Sequence, residues 1–213
     1  MAPWQVNALC MRMLIAFLPA LAAAVGSAST QAQTLFDRRP VVIAAPRTDR
    51  FSVCYGHSCS VVVTVGLAAD DWDRVRSVFR EASANPAEER TRIAEAIALI
   101  ETLVGGRTGT WRDYGGDLKG FARPGQMDCV DEATNSTTYL KMLAADGLLQ
   151  WHEVGPILKR GHLLWGVPHA TAVIVESPSG AAWAVDSWYL DNGLPPYIVP
   201  YLVWKDGWRP SQD

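Results

Sequence analysis

Charge is scarce in this chain, and neither sign prevails. Charged residues are 19% of the 213, and the formal net charge at pH 7 is −3. A protein that holds nucleic acid by its phosphates needs a strong basic excess, so nucleic acid is excluded as a partner. No apolar run reaches the roughly 20 residues of a membrane-spanning helix. There is no internal repeat and no low-complexity block. Cysteine is sparse too, at four residues. What is abundant is core material. Hydrophobic residues make up 49% and Trp occurs nine times, enough for one packed domain with a small N-terminal extension.

That extension is residues 1–32. It carries one charge, Arg12, then an apolar run from Met13 to Val25, then the small residues Gly26-Ser27-Ala28 and Thr30-Gln31-Ala32. A positive start, a short apolar core and small-residue cleavage sites describe a secretory signal peptide. Cleavage after Ala28 or Ala32 predicts an exported protein, periplasmic or secreted. Its mature part, residues 33–213, is expected to be a single domain with no stable membrane span. Cys10 precedes the apolar run rather than following it, which argues against a lipoprotein.

Loss of Cys10 leaves three cysteines. Cys54 and Cys59 flank the turn-like Tyr55-Gly56-His57-Ser58, between Phe51-Ser52-Val53 and Ser60-Val61-Val62-Val63-Thr64-Val65. This predicts a hairpin stapled by a Cys54–Cys59 disulfide, favoured in an oxidising compartment. A zinc site with His57 as third ligand is the competing reading, but no fourth ligand is near and the loop is cramped. If Cys54 and Cys59 are joined, Cys129 is the leftover thiol.

Around Cys129 the sequence Pro124-Gly125-Gln126-Met127-Asp128-Cys129-Val130-Asp131 predicts a helix start. Asp128 is placed to cap it, and Asp131 stands three residues on, where a capping-box acid belongs. Small or apolar residues recur at helical spacing through Ala133, Ser136, Thr137, Leu140, Leu143 and Ala144, and Gly147 is a natural stop. Cys129 then lies in the first turn. Unpaired N–H groups and the helix dipole favour an anion there, so a thiolate is expected. Upstream, Asp70 or Asp71 starts a helix with the face Trp72, Val75, Phe79, Ala82. Asn85-Pro86 starts another with the face Ile93, Ile97, Ile100, Val104, ending at Gly105-Gly106. Both helices are scaffold. Residues 107–125 form a loop that carries Trp111 and Tyr114.

After the cysteine helix the periodicity changes to that of strands. Trp151 to Lys159 is strand-like, with a break at Gly155-Pro156. His169 to Glu176 and Ala181 to Trp188 predict a hairpin about Ser177-Pro178-Ser179-Gly180. Ordinary register makes His169 and Asp186 cross-strand or diagonal neighbours. A thiol nucleophile needs a base, which histidine supplies near neutral pH. A carboxylate on the other ring nitrogen fixes its tautomer and orientation. Cys129, His169 and Asp186 are therefore the candidate catalytic residues. The backbone N–H of Cys129 is a candidate oxyanion donor, with Gln126 or Trp111 as candidates for a second. His152 and His162 are rival bases, and Asp191 in the turn-like Asp191-Asn192-Gly193 is the rival acid. No metal or cofactor is expected.

Cysteine at a helix start, His-Ala-x-Ala-Val on one strand and Trp-x-x-Asp on the next resemble the transglutaminase-like fold of the papain-like superfamily. More narrowly, Asp128-Cys129-Val130-Asp131, His169-Ala170 and Val185-Asp186 are similar to the bacterial transglutaminase-like cysteine proteinases. The resemblance covers residues 111–192. It implies an α+β fold, a cysteine-bearing helix packed on an antiparallel sheet, and an exported thiol hydrolase acting on a protein or peptide. Members of that family usually carry acids on both sides of the cysteine, associated with calcium. Here Val130 stands where the second acid would be, so calcium is not carried over. The resulting division is an N-terminal hairpin in 35–66, helices in 69–105 and a catalytic core in 124–213. Two other readings stay open: a peptidoglycan-directed amidase of the NlpC/P60 kind, and a non-catalytic binding domain of the same fold. The third residue Asp186 speaks against the former, where a second histidine is common.

Overall fold

The first hairpin comes from two β-branched runs joined across a disulfide. In a computed structural model of the protein, residues 41–116, 123–161 and 168–211 are described. The signal-peptide reading of residues 1–32, and the rival base His162, lie outside them. Strand β1, Phe51–Tyr55, pairs antiparallel with β2, Val61–Val65. Cys54 and Cys59 are bonded, with Cα atoms 4.8 Å apart, so neither sulfur is left for zinc. The turn holds three successive non-glycine residues at positive φ: His57 at 71°, Ser58 at 54° and Cys59 at 53°. Such a run is unfavourable for residues with a Cβ, so other contacts must hold it.

Two helices follow. Helix α1, Ala69–Val78, begins at Ala68, and Asp70 and Asp71 fall in its first turn, where the dipole favours acids. It buries Trp72 and Val75 but ends before Phe79 completes another turn, and Ala82 is exposed. Helix α2, Pro86–Thr108, opens as its sequence predicts: Asn85 accepts the amide of Glu88 at 3.0 Å, with Pro86 in the first turn. It does not stop at Gly105-Gly106. It runs on to Thr108 and closes at Gly109, at φ 84°. Gly105 serves close packing instead, because a Cβ there would lie 3.1 Å from the backbone N of Trp111. A short 3₁₀ turn, Thr110–Arg112, follows.

Helix α3, Cys129–Ala145, packs against a five-stranded antiparallel sheet. The sheet runs β3 (His152–Val154), β5 (His169–Glu176), β6 (Ala182–Asp186), β7 (Tyr197–Pro200). Strand β4, Leu158–Arg160, pairs with the other half of β5 after the break at Gly155-Pro156. A short helix, α4 (Tyr201–Lys205), closes the fold. The core joins Ile93, Ile97 and Ile100 of α2, Tyr139, Leu140 and Leu143 of α3, and Ala172, Ile174 and Val185 of the sheet. Fully burying one Leu or Ile stabilises the fold by about 1.5–3 kcal/mol, so this three-way seam holds α3 against β5. Among the described residues no helix is long and apolar enough to cross a membrane.

Candidate active site

Two acids organise the start of α3. Asp128 caps it, accepting from the amides of Val130 at 2.9 Å and Asp131 at 3.0 Å, and Asp131 returns a bond to the Asp128 amide at 3.1 Å. The capping box predicted from sequence is complete. The same carboxylates also reach the disulfide turn. Asp131 accepts from His57 N at 2.8 Å and Cys59 N at 2.5 Å, and Asp128 accepts from Ser58 N at 3.0 Å. The left-handed run therefore aims its amides at two acids. Each amide–carboxylate bond contributes about 1.5–3 kcal/mol, enough to offset the strain. Asn135, one turn further along α3, bonds both backbone groups of Cys54 at 2.7 and 2.8 Å.

The chain enters this helix along a fixed path. Gly125 has φ 81°, and a Cβ on it would lie 2.2 Å from the Gly109 carbonyl oxygen, so only glycine fits where the segment crosses the end of α2. The buried Gln126 donates through Nε2 to the Arg112 carbonyl and accepts from Tyr114 N at 3.5 Å. The Met127 amide donates to Asp113 at 2.6 Å. Gln126 thus braces the loop before the cysteine. Trp111 is 58% exposed, with the Arg112 guanidinium over its ring.

Cys129 is half-buried and is the free cysteine of the described chain. Burial pushes its thiol up, the amide of Ala170 facing the sulfur draws it down, and the carboxylates of Asp128 and Asp186 push it up. The net direction is upward. The expectation of a standing thiolate is therefore corrected. The positive end of α3 is taken by Asp128, which satisfies the amides of Val130 and Asp131 and adds negative charge beside the sulfur. The amide of Cys129 itself is not taken by the cap and lies against its own sulfur.

The neighbour of Ala170 on β5 is His169. Ala172 pairs with Val185, and one further step along that register sets Thr171 opposite Asp186. His169, two residues on, is then the diagonal neighbour of Asp186 on one sheet face. Its Nε2 lies 2.7 Å from Asp186 Oδ2, and both residues are buried. A carboxylate there holds the proton on Nε2 and leaves Nδ1 as the basic nitrogen. The imidazole sits among aromatic rings, with centroids of Trp188 at 5.0 Å, Tyr189 at 5.4 Å and Trp204 at 5.5 Å. The helix mouth and the ends of β5 and β6 thus set the Cys129 sulfur against the Ala170 amide and within electrostatic reach of Asp186, which holds His169.

Comparison with family models, with curated proteins and with solved structures returns no match to this chain.

The rival residues lie elsewhere or are otherwise engaged. His152 pairs with Glu176 at the far end of β5 and is buried against Glu89 at 2.9 Å and Arg90 at 3.3 Å. Asp191 accepts from the Gly115 amide at 2.9 Å, fastening the Tyr114 loop to the segment after β6.

Two features escaped the sequence reading. Trp204 Nε1 donates to Asp186 Oδ2 at 2.6 Å, yet it lies on α4 and reads in the sequence as one more packing aromatic. Beneath the site, Glu101 of α2 and Glu132 of α3 are buried together. Glu101 accepts from the Gly193 amide at 2.9 Å, while Glu101 Oε1 and Glu132 Oε2 have no partner among the described residues. Burial, reinforced by nearby carboxylates, pushes Glu101 up to about 8 and Glu132 well above its ordinary range. Glu101 stands four positions after the buried Ile97 and Glu132 three after Cys129, and that helical phase was the available signal.

Proposed function

We propose that the protein is an exported thiol hydrolase with the transglutaminase-like arrangement, in which Cys129, His169 and Asp186 cleave an amide of a protein or peptide. The observation that carries this reading is the buried His169–Asp186 pair at 2.7 Å, placed next to the Ala170 amide that faces the Cys129 sulfur. The disulfide is the chemistry of an oxidising compartment, in keeping with export.

The raised thiol dictates the order of proton movements. His169 Nδ1 takes the proton as the sulfur attacks, rather than facing a preformed thiolate. A C–S bond forms, and the carbonyl π pair moves to oxygen, which the Cys129 amide stabilises. The imidazolium then gives its proton to the leaving nitrogen as the C–N bond breaks, leaving a thioester. His169 next takes a proton from water, whose oxygen attacks the thioester. The C–S bond breaks and the proton returns to sulfur. An amine in place of water would give acyl transfer by the same steps.

The test is covalent labelling by an electrophilic peptide probe near pH 7. The expected result is stoichiometric modification at Cys129, none in Cys129→Ala, and a rate lower by roughly 10²-fold or more in His169→Ala. Because burial holds the thiol up, that variant should label appreciably only at alkaline pH. Slow labelling of the wild type, unchanged by His169→Ala, would instead favour a non-catalytic domain, a reading that the raised thiol alone also fits.

A further inference from the structure

We propose that Trp204 is a positioning residue for the acid–base pair, holding Asp186 in the one rotamer that keeps His169 oriented, and that Arg160 locks Trp204 in place. The inference rests on the proposed catalytic roles of His169 and Asp186, and it concerns residues that no motif marks.

The geometry is a convergence of donors. Asp186 Oδ2 receives His169 Nε2 at 2.7 Å and Trp204 Nε1 at 2.6 Å, while Oδ1 has no partner among the described residues. A carboxylate held through one oxygen by the imidazole alone could rotate about its χ2 bond, because that torsion is broad for Asp. The indole N–H approaches from α4, outside the hairpin that carries the pair, and removes that freedom. Trp204 is fully buried, so its N–H does not exchange its partner for water.

Arg160 fixes the indole from the other side. It lies opposite His169 in the β4–β5 register. Its guanidinium covers the Trp204 ring at 4.4 Å, donates to the Trp204 and Trp208 carbonyls, and donates to Tyr189 Oη at 2.8 Å. Tyr189 in turn packs edge-on against the His169 ring at 5.4 Å. Arg160 therefore ties two of the walls around the imidazole, Tyr189 and Trp204, to the strand beside it. A planar guanidinium suits this use, since it donates in its plane and stacks on its face.

The decisive variant replaces Trp204 by 3-benzothienylalanine, which keeps the fused ring and substitutes sulfur for the N–H; Trp204→Phe is its genetic counterpart. Two readouts are taken. The first needs no turnover: the low-field proton resonance of the His169–Asp186 bond, recorded in the Cys129→Ala background. It should be present with Trp204, absent in Asp186→Ala, and shifted or broadened in the benzothienyl protein while the remaining spectrum is unchanged. The second is kcat/KM toward a fluorogenic peptide amide. It should fall roughly 10- to 100-fold in kcat with little change in KM, the size expected for a bond to a charged group. In the Asp186→Ala background the same replacement should have no further effect. An unaltered resonance, or a loss that simply adds to that of Asp186→Ala, would overturn the proposal. If the resonance responds as expected but no variant hydrolyses peptide, the positioning role stands and the hydrolase reading fails.

Discussion

Glu101 behaves as a proton store rather than a charge. Its ordinary value is 4.5, and burial first, then the charge of Asp113, raises it to about 8 in the fold, despite the Gly193 amide. Between those values the folded chain holds a proton that the unfolded chain has released. The stability from this group is therefore complete below 4.5 and declines as pH rises through about 8. Glu101→Gln keeps an acceptor for Gly193 and cannot ionise. Its Tm should match the wild type near about pH 5 and exceed it by several degrees near about pH 9. Equal melting at both pH values would show that Glu101 is not the group responsible.

At the scale of elements, the disulfide turn and the start of α3 behave as one unit. The turn lends three amides to Asp128 and Asp131, so its closure and the helix cap support each other. The Cys54→Ala/Cys59→Ala protein should lose about 2 kcal/mol in urea unfolding, the entropy of so short a loop. Hydrogen exchange should localise the damage, with faster exchange at the amides of residues 57–59, 130 and 131 while β5 and β6 stay protected. A uniform loss across the sheet would contradict this coupling. These elements were also the ones most readable in the sequence. Capping boxes, Asn-Pro starts and a cysteine pair about a turn are local signals, and each depends on residues within a few positions. The β5–β6 hairpin was readable because its turn sits midway between two apolar runs. The end of α2 was not, because Gly105 is a contact for Trp111 rather than a terminator. The absence of a thiolate was not, because the cap that makes the helix also consumes its positive end. Trp204 was not, because only the return of β7 along β6, pairing Asp186 with Tyr197, brings α4 back to the acid.

For the molecule as a whole, ion pairs and buried acids pull in opposite directions with pH. Glu89 is subject first to burial, which raises it. The contacts with His152 and with the amides of Gln150 and Trp151 outweigh that, so it is lowered. A lowered carboxylate contributes stability above 4.5 that is lost as pH falls through its folded value. Glu89 thus fails on the acid side and Glu101 on the alkaline side. Thermal melting across pH should therefore peak near 4.5 and fall away on either side, and Glu101→Gln should flatten the alkaline limb only.

The acids beneath the cysteine helix also change how the protein moves in an electric field. With Glu101 raised to about 8 and so holding its proton at neutral pH, and Glu132 raised in the same direction, the folded particle is less negative than the formal −3 of its sequence. Native isoelectric focusing should place it at a higher pH than the same chain focused in urea. The distance between the two bands measures how much acidity folding hides.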